Sequence, residues 1–316
     1  MNYFSHNPLN RFSEVRSDEA SIKALWEDER AQVLVVMNNL SLLTEDATEA
    51  AFLQRPVVEQ LAREARVQVY LGSDGDVPYF ALGFGTEQGA ALKDLLPANY
   101  TFHDIRQVAL QLPKEHGALL AYARGMVYWN LHHEFCPNCA SPTTSHQAGH
   151  VRYCTNESCK RHHFPRTDTA IIVLITEGNA CLLGRQQVWP AGFYAVVAGF
   201  LEPGETLEQA VAREAMEETG VKLQSIHYHS SQPWPFPGSI MVGFQAVAVD
   251  RNIQVDNKEL EEARWFTRAE IAAGLAQKEL SMPPQFSIAF RLIRDWFNAE
   301  DGYKLEDLVA LPPKVE

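Results

Sequence analysis

Apolar positions along the chain follow two spacings, and each marks a kind of element. From Asp18 to Arg30 the spacing is helical, and Gln32 to Met37 is an apolar run of strand length. Val67 to Leu71 and Tyr79 to Gly83 read as two strands joined through Ser73-Asp74-Gly75, a hairpin signal. From Glu115 to His132, Leu119, Tyr122, Met126 and Trp129 recur every three or four residues. That stripe predicts a helix packed into a core or interface rather than a cofactor box. Ala170–Thr176, Ala180–Leu183, Tyr194–Phe200 and Lys222–His229 read as strands, with a turn at Glu177-Gly178-Asn179. Between the last two strands, Leu207, Ala210, Val211 and Ala215 give a helix an apolar face. Thr206 stands at its N-cap and Gly220 at its C-terminal stop. Strand, loop, helix, strand predicts an α/β domain, a mixed sheet with helices on its faces. The N-terminal part, residues 1-131 with the helix from Glu115 included, reads as a small α+β domain in which no catalytic constellation is visible.

The polar face of the Thr206–Gly220 helix carries Glu214, Glu217 and Glu218. Residues three and four apart lie one turn from each other, so like charges there repel. Hard divalent cations remove the repulsion, and Mg²⁺ favours carboxylate oxygens together with substrate phosphates. A bare Glu-x-x-Glu-Glu is more often a solvated acidic face. The surrounding pattern decides between the two.

The chain has 316 residues, 46% hydrophobic, enough for two domains or one with a large extension. No apolar run is long enough to span a membrane, and Met1–Arg11 lacks the apolar stretch of a signal peptide. A cytoplasmic location is the default expectation. The net charge of −13 argues against a broad nucleic-acid-binding surface, though not against a small nucleotide held through metal ions. Cys136 and Cys139 form one close pair, Cys154 and Cys159 another. In a cytosolic chain two such pairs read as a Cys₄ Zn²⁺ site rather than ordinary thiols. Four thiolates close the tetrahedral shell, so one structural zinc per chain is expected, and His146, His150, His162 and His163 are not expected to ligate. Cys181, in an apolar run, reads as a buried small hydrophobe.

Gly199, then Glu205, then Arg213-Glu214-Ala215-Met216-Glu217-Glu218-Thr219-Gly220-Val221 fall at spacings that resemble the Nudix box of the Nudix hydrolases at every fixed position. Downstream, Ser231-Gln232-Pro233-Trp234-Pro235-Phe236-Pro237-Gly238-Ser239 alternates proline with large rings. Prolines restrict this stretch to extended backbone, so Trp234 and Phe236 are expected on a stiff loop, suited to stacking on flat heterocycles. On composition alone it would be a surface loop or a partner's ligand. Its residue order is similar to the motif that follows the box in NADH pyrophosphatases of the NudC kind, which also carry a four-cysteine ribbon before the Nudix domain.

That resemblance implies an α/β/α Nudix sandwich at 167-316, a zinc ribbon at 132-166 and an α+β domain at 1-131. It implies an NAD(H) diphosphatase that splits NADH, and NAD⁺, into nicotinamide mononucleotide and AMP and removes NAD caps from RNA 5′ ends. Mg²⁺ or Mn²⁺ would be held by Glu214, Glu217, Glu218, the Ala198 carbonyl and Glu259, with Glu217 or Glu218 as the base. Phe164, Gln232, Pro233, Trp234, Pro235, Phe236, Pro237, Gly238, Ser239 and Ala289 would contact the dinucleotide. Arg213 would point away from Glu214 and pair with Glu205. The active form would be a homodimer. Two alternatives are a Nudix hydrolase of ADP-ribose or another dinucleotide, and a non-catalytic zinc-ribbon nucleotide-binding module. The complete set of glutamates speaks against the second.

Overall fold

The structure is a computed structural model that describes residues 1–54, 57–89, 92, 95–255, 259–302 and 304–309. It divides into two compact units. One comprises His6–Thr167 with Trp234–Gly238; the other comprises Met1–Ser5, Asp168–Pro233 and Ser239–Pro313. No helix among the described residues is long and apolar enough to cross a membrane.

In the first unit, β1 (Gln32–Met37), β2 (Leu40–Thr44), β3 (Val67–Asp74), β4 (Val77–Phe84) and β5 (Tyr100–His103) form a sheet of order β3-β4-β1-β2-β5. β1 and β4 are parallel and the other pairs antiparallel. Val33, Leu34, Val35 and Val36 are all buried, so β1 has covered faces on both sides. The helices are α1 (Glu19–Glu27), α2 (Val57–Glu64), the short α3 (Ile105–Val108) and α4 (Lys114–His132). Asp18 caps α1 by accepting from the Ala20 N–H at 3.2 Å. The β3–β4 hairpin turns at Gly75-Asp76, two residues later than the sequence suggests, because both strands extend until Asp74 pairs with Val77. On α4, Leu119, Met126 and Trp129 are buried as the stripe predicts.

In the second unit, β9 (Asp168–Glu177), β10 (Ala180–Arg185), β12 (Leu223–Trp234), β13 (Ser239–Ala248) and β14 (Glu262–Thr267) have the order β12-β13-β9-β10-β14, and β11 (Val197–Phe200) pairs with β9. β13 is parallel to β9 while β10, β11 and β14 pair antiparallel, so the sheet is mixed. Alternate residues of β9 feed two cores. Ile171, Val173 and Ile175 pack with Val211 and Ala215 of α5 (Leu207–Thr219). Ile172 and Leu174 pack with Ile271 of α6 (Arg268–Ala276) and with Leu292 and Ile293 of α7 (Ile288–Phe297). The result is the expected α/β/α sandwich. Cys181 is buried in the second of these cores, and burial pushes its thiol far up.

Two strand readings change. Of Tyr194–Phe200, only Val197–Phe200 runs with β9, because Ala195 bridges Gly184 instead. β12 continues through Pro233 to Trp234, where a loop was expected. It lies at the sheet edge, where a residue without an N–H costs no ladder bond. Strands taken in chain order, leaving β11 aside, give both sheets one arrangement: third, fourth, first, second, fifth, with first and fourth parallel.

A small three-stranded sheet, β6 (Thr143–His146), β7 (Val151–Cys154) and β8 (His162–His163), completes the first unit. Two tight turns bring the cysteine pairs together. Ala140 N–H donates to the Cys136 carbonyl at 2.8 Å and Lys160 N–H to the Asn156 carbonyl at 2.9 Å. All four Sγ atoms lie within 4.8 Å of one another. The Cys136–Cys159 and Cys139–Cys154 separations are 3.8 and 3.4 Å. A tetrahedron with Zn–S bonds of 2.3 Å has sulfurs about 3.8 Å apart, so the residues fit a closed Zn²⁺ shell. Of the nearby histidines, His150 Nε2 lies 2.8 Å from the Tyr70 carbonyl, His146 and His162 stack on Tyr153, and His163 Nε2 is buried without a hydrogen-bond partner. Protein purified without chelators is expected to carry about one zinc per chain by metal analysis, and Cys136→Ser to lose it and melt at lower temperature, since structural zinc contributes folding energy. Full zinc content in Cys136→Ser would remove Cys136 from the shell.

Candidate active site

The loop from β11 to α5 and the helix itself place the acidic residues. Gly204 takes φ +95°, a left-handed conformation that favours glycine and turns the chain toward the helix. Thr206 and Gln209 then form a reciprocal cap: the Gln209 N–H donates to Thr206 Oγ1 at 3.2 Å and the Thr206 N–H to Gln209 Oε1 at 2.8 Å. Gly220 ends the helix in the left-handed region, its N–H on the Met216 carbonyl. Between these ends, Glu214 and Glu218 stand one turn apart, only 7% and 8% exposed.

Glu214 lies directly against Gly199. A Cβ at position 199 would fall 1.9 Å from Glu214 Oε1, so any larger residue would drive the carboxylate out. Glu259 arrives from the segment before β14 and remains exposed. Carboxylate oxygens of Glu214, Glu218 and Glu259 lie within 4.8 Å of one another. An octahedral Mg²⁺ with 2.0–2.1 Å bonds separates its ligand oxygens by about 2.9–4.2 Å, so this hard-oxygen trio fits such a cation after small adjustment. Glu217 falls outside the trio, its side chain 59% exposed.

Arg213 differs from expectation. Its Nε and Nη2 do donate to Glu205, at 2.6 and 3.0 Å, and Nη2 also reaches the Phe200 carbonyl. Its Nη1 folds back, however, to Glu214 at 2.9 Å and Glu217 at 3.0 Å. These partners raise the Arg213 pKa, Glu205 most. Burial pushes the Glu214 carboxyl up, and Arg213 opposes that shift. The guanidinium is thus both the clamp of the loop and a counter-charge for the acids.

The other expected site residues are placed as follows. Ala198 sits in β11, one residue before Gly199. The Gln232 side chain is fully buried and occupied with backbone: Nε2 donates to the Phe286 carbonyl at 2.8 Å, and Oε1 accepts from the Ile288 N–H at 2.7 Å. It ties β12 to the start of α7 instead of presenting an open amide. Ala289 lies on α7, 9% exposed among core residues. Ser239 opens β13. Phe164, in the first unit, is 64% exposed.

Within the first unit, Trp234 and Phe236 meet edge to face, centroids 5.1 Å apart. Pro235 is buried while Pro233 and Pro237 are exposed. Phe236 was expected to be displayed. Instead the guanidiniums of Arg124 and Arg106 lie over its ring at 4.8 and 5.2 Å. Arg124 is 6% exposed and donates to the Asn39 carbonyl at 3.1 Å; burial brings its pKa down to about 10. Arg124 is not among the candidate residues named from the sequence. Its signal is a cation inside the otherwise apolar run Ala118–Val127 of α4.

Comparison with known proteins agrees with this arrangement. Residues 165–286 match the NUDIX domain, 131–164 the NADH pyrophosphatase zinc ribbon domain, and 31–129 the NADH pyrophosphatase-like rudimentary NUDIX domain. The last match accounts for the shared strand order of the two sheets. The NAD-capped RNA hydrolase NUDT12 of Homo sapiens is 34% identical over 338 residues, covering 93% of this chain and 73% of that protein. The mitochondrial NAD(P)H pyrophosphatase NUDT13 of Mus musculus is 34% identical across 71% of this chain and 69% of its own. The NAD-capped RNA hydrolase NudC of Stutzerimonas stutzeri (strain A1501) is 40% identical over 51% of this chain and 58% of its own. With box, ribbon and rudimentary first domain all matched in order, the chain belongs to the NADH pyrophosphatase group of the Nudix hydrolases.

Proposed function

We propose that the chain hydrolyses the pyrophosphate bond of NADH and NAD⁺, giving nicotinamide mononucleotide and AMP, and removes NAD caps from RNA 5′ ends. One observation carries the reading: the convergence of Glu214, Glu218 and Glu259 on one point beside Gly199. The names of the relatives support the substrate, since they are NAD-capped RNA hydrolases and NAD(P)H pyrophosphatases.

Mg²⁺ or Mn²⁺ bound there would neutralise pyrophosphate oxygens and lower the pKa of a bound water. The chain holds Glu214 and Glu218 on a capped helix, so that little freedom is lost when they ligate. Arg213 orients Glu214, and the Ala198 carbonyl is a further candidate ligand. Glu217, exposed at the helix surface, and Glu218 are the candidates to accept the proton of the attacking water. Trp234, Phe164 and the remaining residues of the Gln232–Ser239 stretch and Ala289 form the dinucleotide-binding set. Of these, Phe236 and Gln232 act by positioning. Zinc in the ribbon is structural. The domains are 1-131, 132-166 and 167-316, and the active form is a homodimer.

Purified protein with Mg²⁺ or Mn²⁺ is expected to convert NADH, NAD⁺ and NAD-capped RNA, with ADP-ribose poorer; chromatography of the products decides, and faster cleavage of ADP-ribose would reassign the substrate. Glu218→Gln should fold normally and lose several hundred-fold or more in rate, because a metal ligand supplies several kcal/mol of transition-state stabilisation. Near-normal turnover at saturating Mg²⁺ would sink that role. Trp234→Ala should lower kcat/KM for NADH by about five- to 150-fold, the range expected for losing one base-stacking ring. An unchanged value in the folded variant would make Trp234 structural only. Light scattering should report twice the 35.5 kDa chain mass; a monomer with full activity would refute the dimer.

A further inference from the structure

Two members of the acidic trio, Glu214 and Glu218, are fixed by α5. The third, Glu259, is exposed and opens the run Glu259-Leu260-Glu261-Glu262, which offers three carboxylates in four residues. Only Glu259 joins the trio. The other two acids of the run are engaged elsewhere.

Glu261 is held by Arg185, the last residue of β10. The Arg185 Nη1 forms an ion pair with Glu261, and its Nη2 donates to the carbonyls of Trp189 and Pro190 at 3.1 and 3.4 Å. The Arg185 side chain is only 14% exposed, and its Nε is buried without a hydrogen-bond partner. A guanidinium does not lose its proton, so Glu261 cannot leave without stranding a largely covered cation. Glu262 accepts from the Tyr194 hydroxyl at 2.6 Å, and its other carboxylate oxygen lies 3.6 Å from Arg264 Nε.

The backbone of the run is gripped by the same end of β10. The Glu261 N–H donates to the Arg185 carbonyl at 2.9 Å, and Glu262 pairs with Arg185 at the start of β14. Leu260 is buried against Gly184, where an added Cβ would fall 2.8 Å from Leu260 Cδ1. Gly184 and Arg185 thus fix the three residues that follow Glu259, which limits the freedom that Glu259 loses on ligating.

We propose that Arg185 is a positioning residue of the metal site: by holding Glu261 it selects Glu259 as the carboxylate that completes the trio and keeps a competing acid out. The inference rests on the reading that Glu214, Glu218 and Glu259 hold a divalent cation. At most about 7 Å of chain separates positions 259 and 261, so Glu261 released from Arg185 has the reach to replace Glu259. The Arg185–Glu261 pair carries no net charge, so it braces the site without opposing a bound cation.

The test titrates Mn²⁺ into the full-length, zinc-loaded protein without substrate and reads free Mn²⁺ by electron paramagnetic resonance. Glu259→Gln should weaken binding. Arg185→Gln should weaken it by about tenfold, the lower end of the range for residues that orient metal ligands. In the Arg185→Gln background, adding Glu259→Gln should cost at least about threefold less than it does in the wild type, because Glu261 is then free to ligate; independent sites would add to within about twofold. Adding Glu261→Gln to that pair should restore the full loss. Glu261→Gln alone keeps an acceptor for Arg185 and should bind Mn²⁺ far better than Glu259→Gln. Additive losses, the result of a merely structural Arg185, would overturn the selection. So would Glu261→Gln losing Mn²⁺ as severely as Glu259→Gln, which would make Glu261 the ligand; that comparison decides even if Arg185→Gln does not fold. If wild-type protein binds no Mn²⁺, or Glu218→Gln binds it unchanged, the metal-site reading fails and the selection falls with it. If binding depends on Glu218 and the losses are additive, the selection alone fails.

Discussion

A carboxylate withdrawn from water has to be matched by positive charge, and two of them on one helix double the demand. Glu214 and Glu218 are both less than a tenth exposed and one turn apart. Burial disfavours the charged form of Glu214, and repulsion from Glu217 and Glu259 adds to it. Most of the local architecture follows from tolerating that arrangement. Gly199 supplies the space into which Glu214 is pressed. Arg213 supplies partial compensation while also tying Glu205 and the Phe200 carbonyl to the helix. The Thr206–Gln209 cap and Gly220 fix both helix ends, so the acids cannot relax by fraying. A divalent cation held among these carboxylates would add further positive charge.

The sandwich turns this local constraint into a positioned site. β9 lies in the middle of the sheet and supplies residues to both cores, so the edge of β11 that carries Gly199 is anchored by β9 pairing. Gln232 extends the same logic to the far edge. Its amide satisfies one donor and one acceptor around the α7 N-terminus and fixes where β12 ends. In the first unit, Arg124 and Arg106 over Phe236 do for the following turn what Gln232 does for the strand.

Much of this was legible in the sequence because it is local. Thr206 and Gly220 announce the acidic helix, alternation and apolar runs give β1, β9 and β10, and two cysteine pairs announce the ribbon. What was misread depends on contacts far apart in the chain. The prolines around Trp234 look like strand breakers until β12 is seen to be an edge strand. Helical geometry places Arg213 beside Glu214 in sequence but on another face; only the length of the guanidinium stem lets it fold back. Arg124 shows in the sequence as a cation in an apolar helix, yet its target, Phe236, lies more than a hundred residues on. The His146–Tyr153–His162 column is invisible in order because each ring comes from a different strand.

The repeated strand order has its own consequence. In the first sheet, α2 occupies the place between second and third strands that α5 occupies in the other, but it carries only Glu59 and Glu64, both exposed, and no metal-type carboxylate cluster forms there among the described residues. One polypeptide thus contains the same architecture with and without the acidic trio, each with its own buried core. The sheet is built by burial of apolar strands, and the first sheet forms without the acidic trio. The molecule carries its own control, in which the shared strand order occurs without the acidic trio among the described residues.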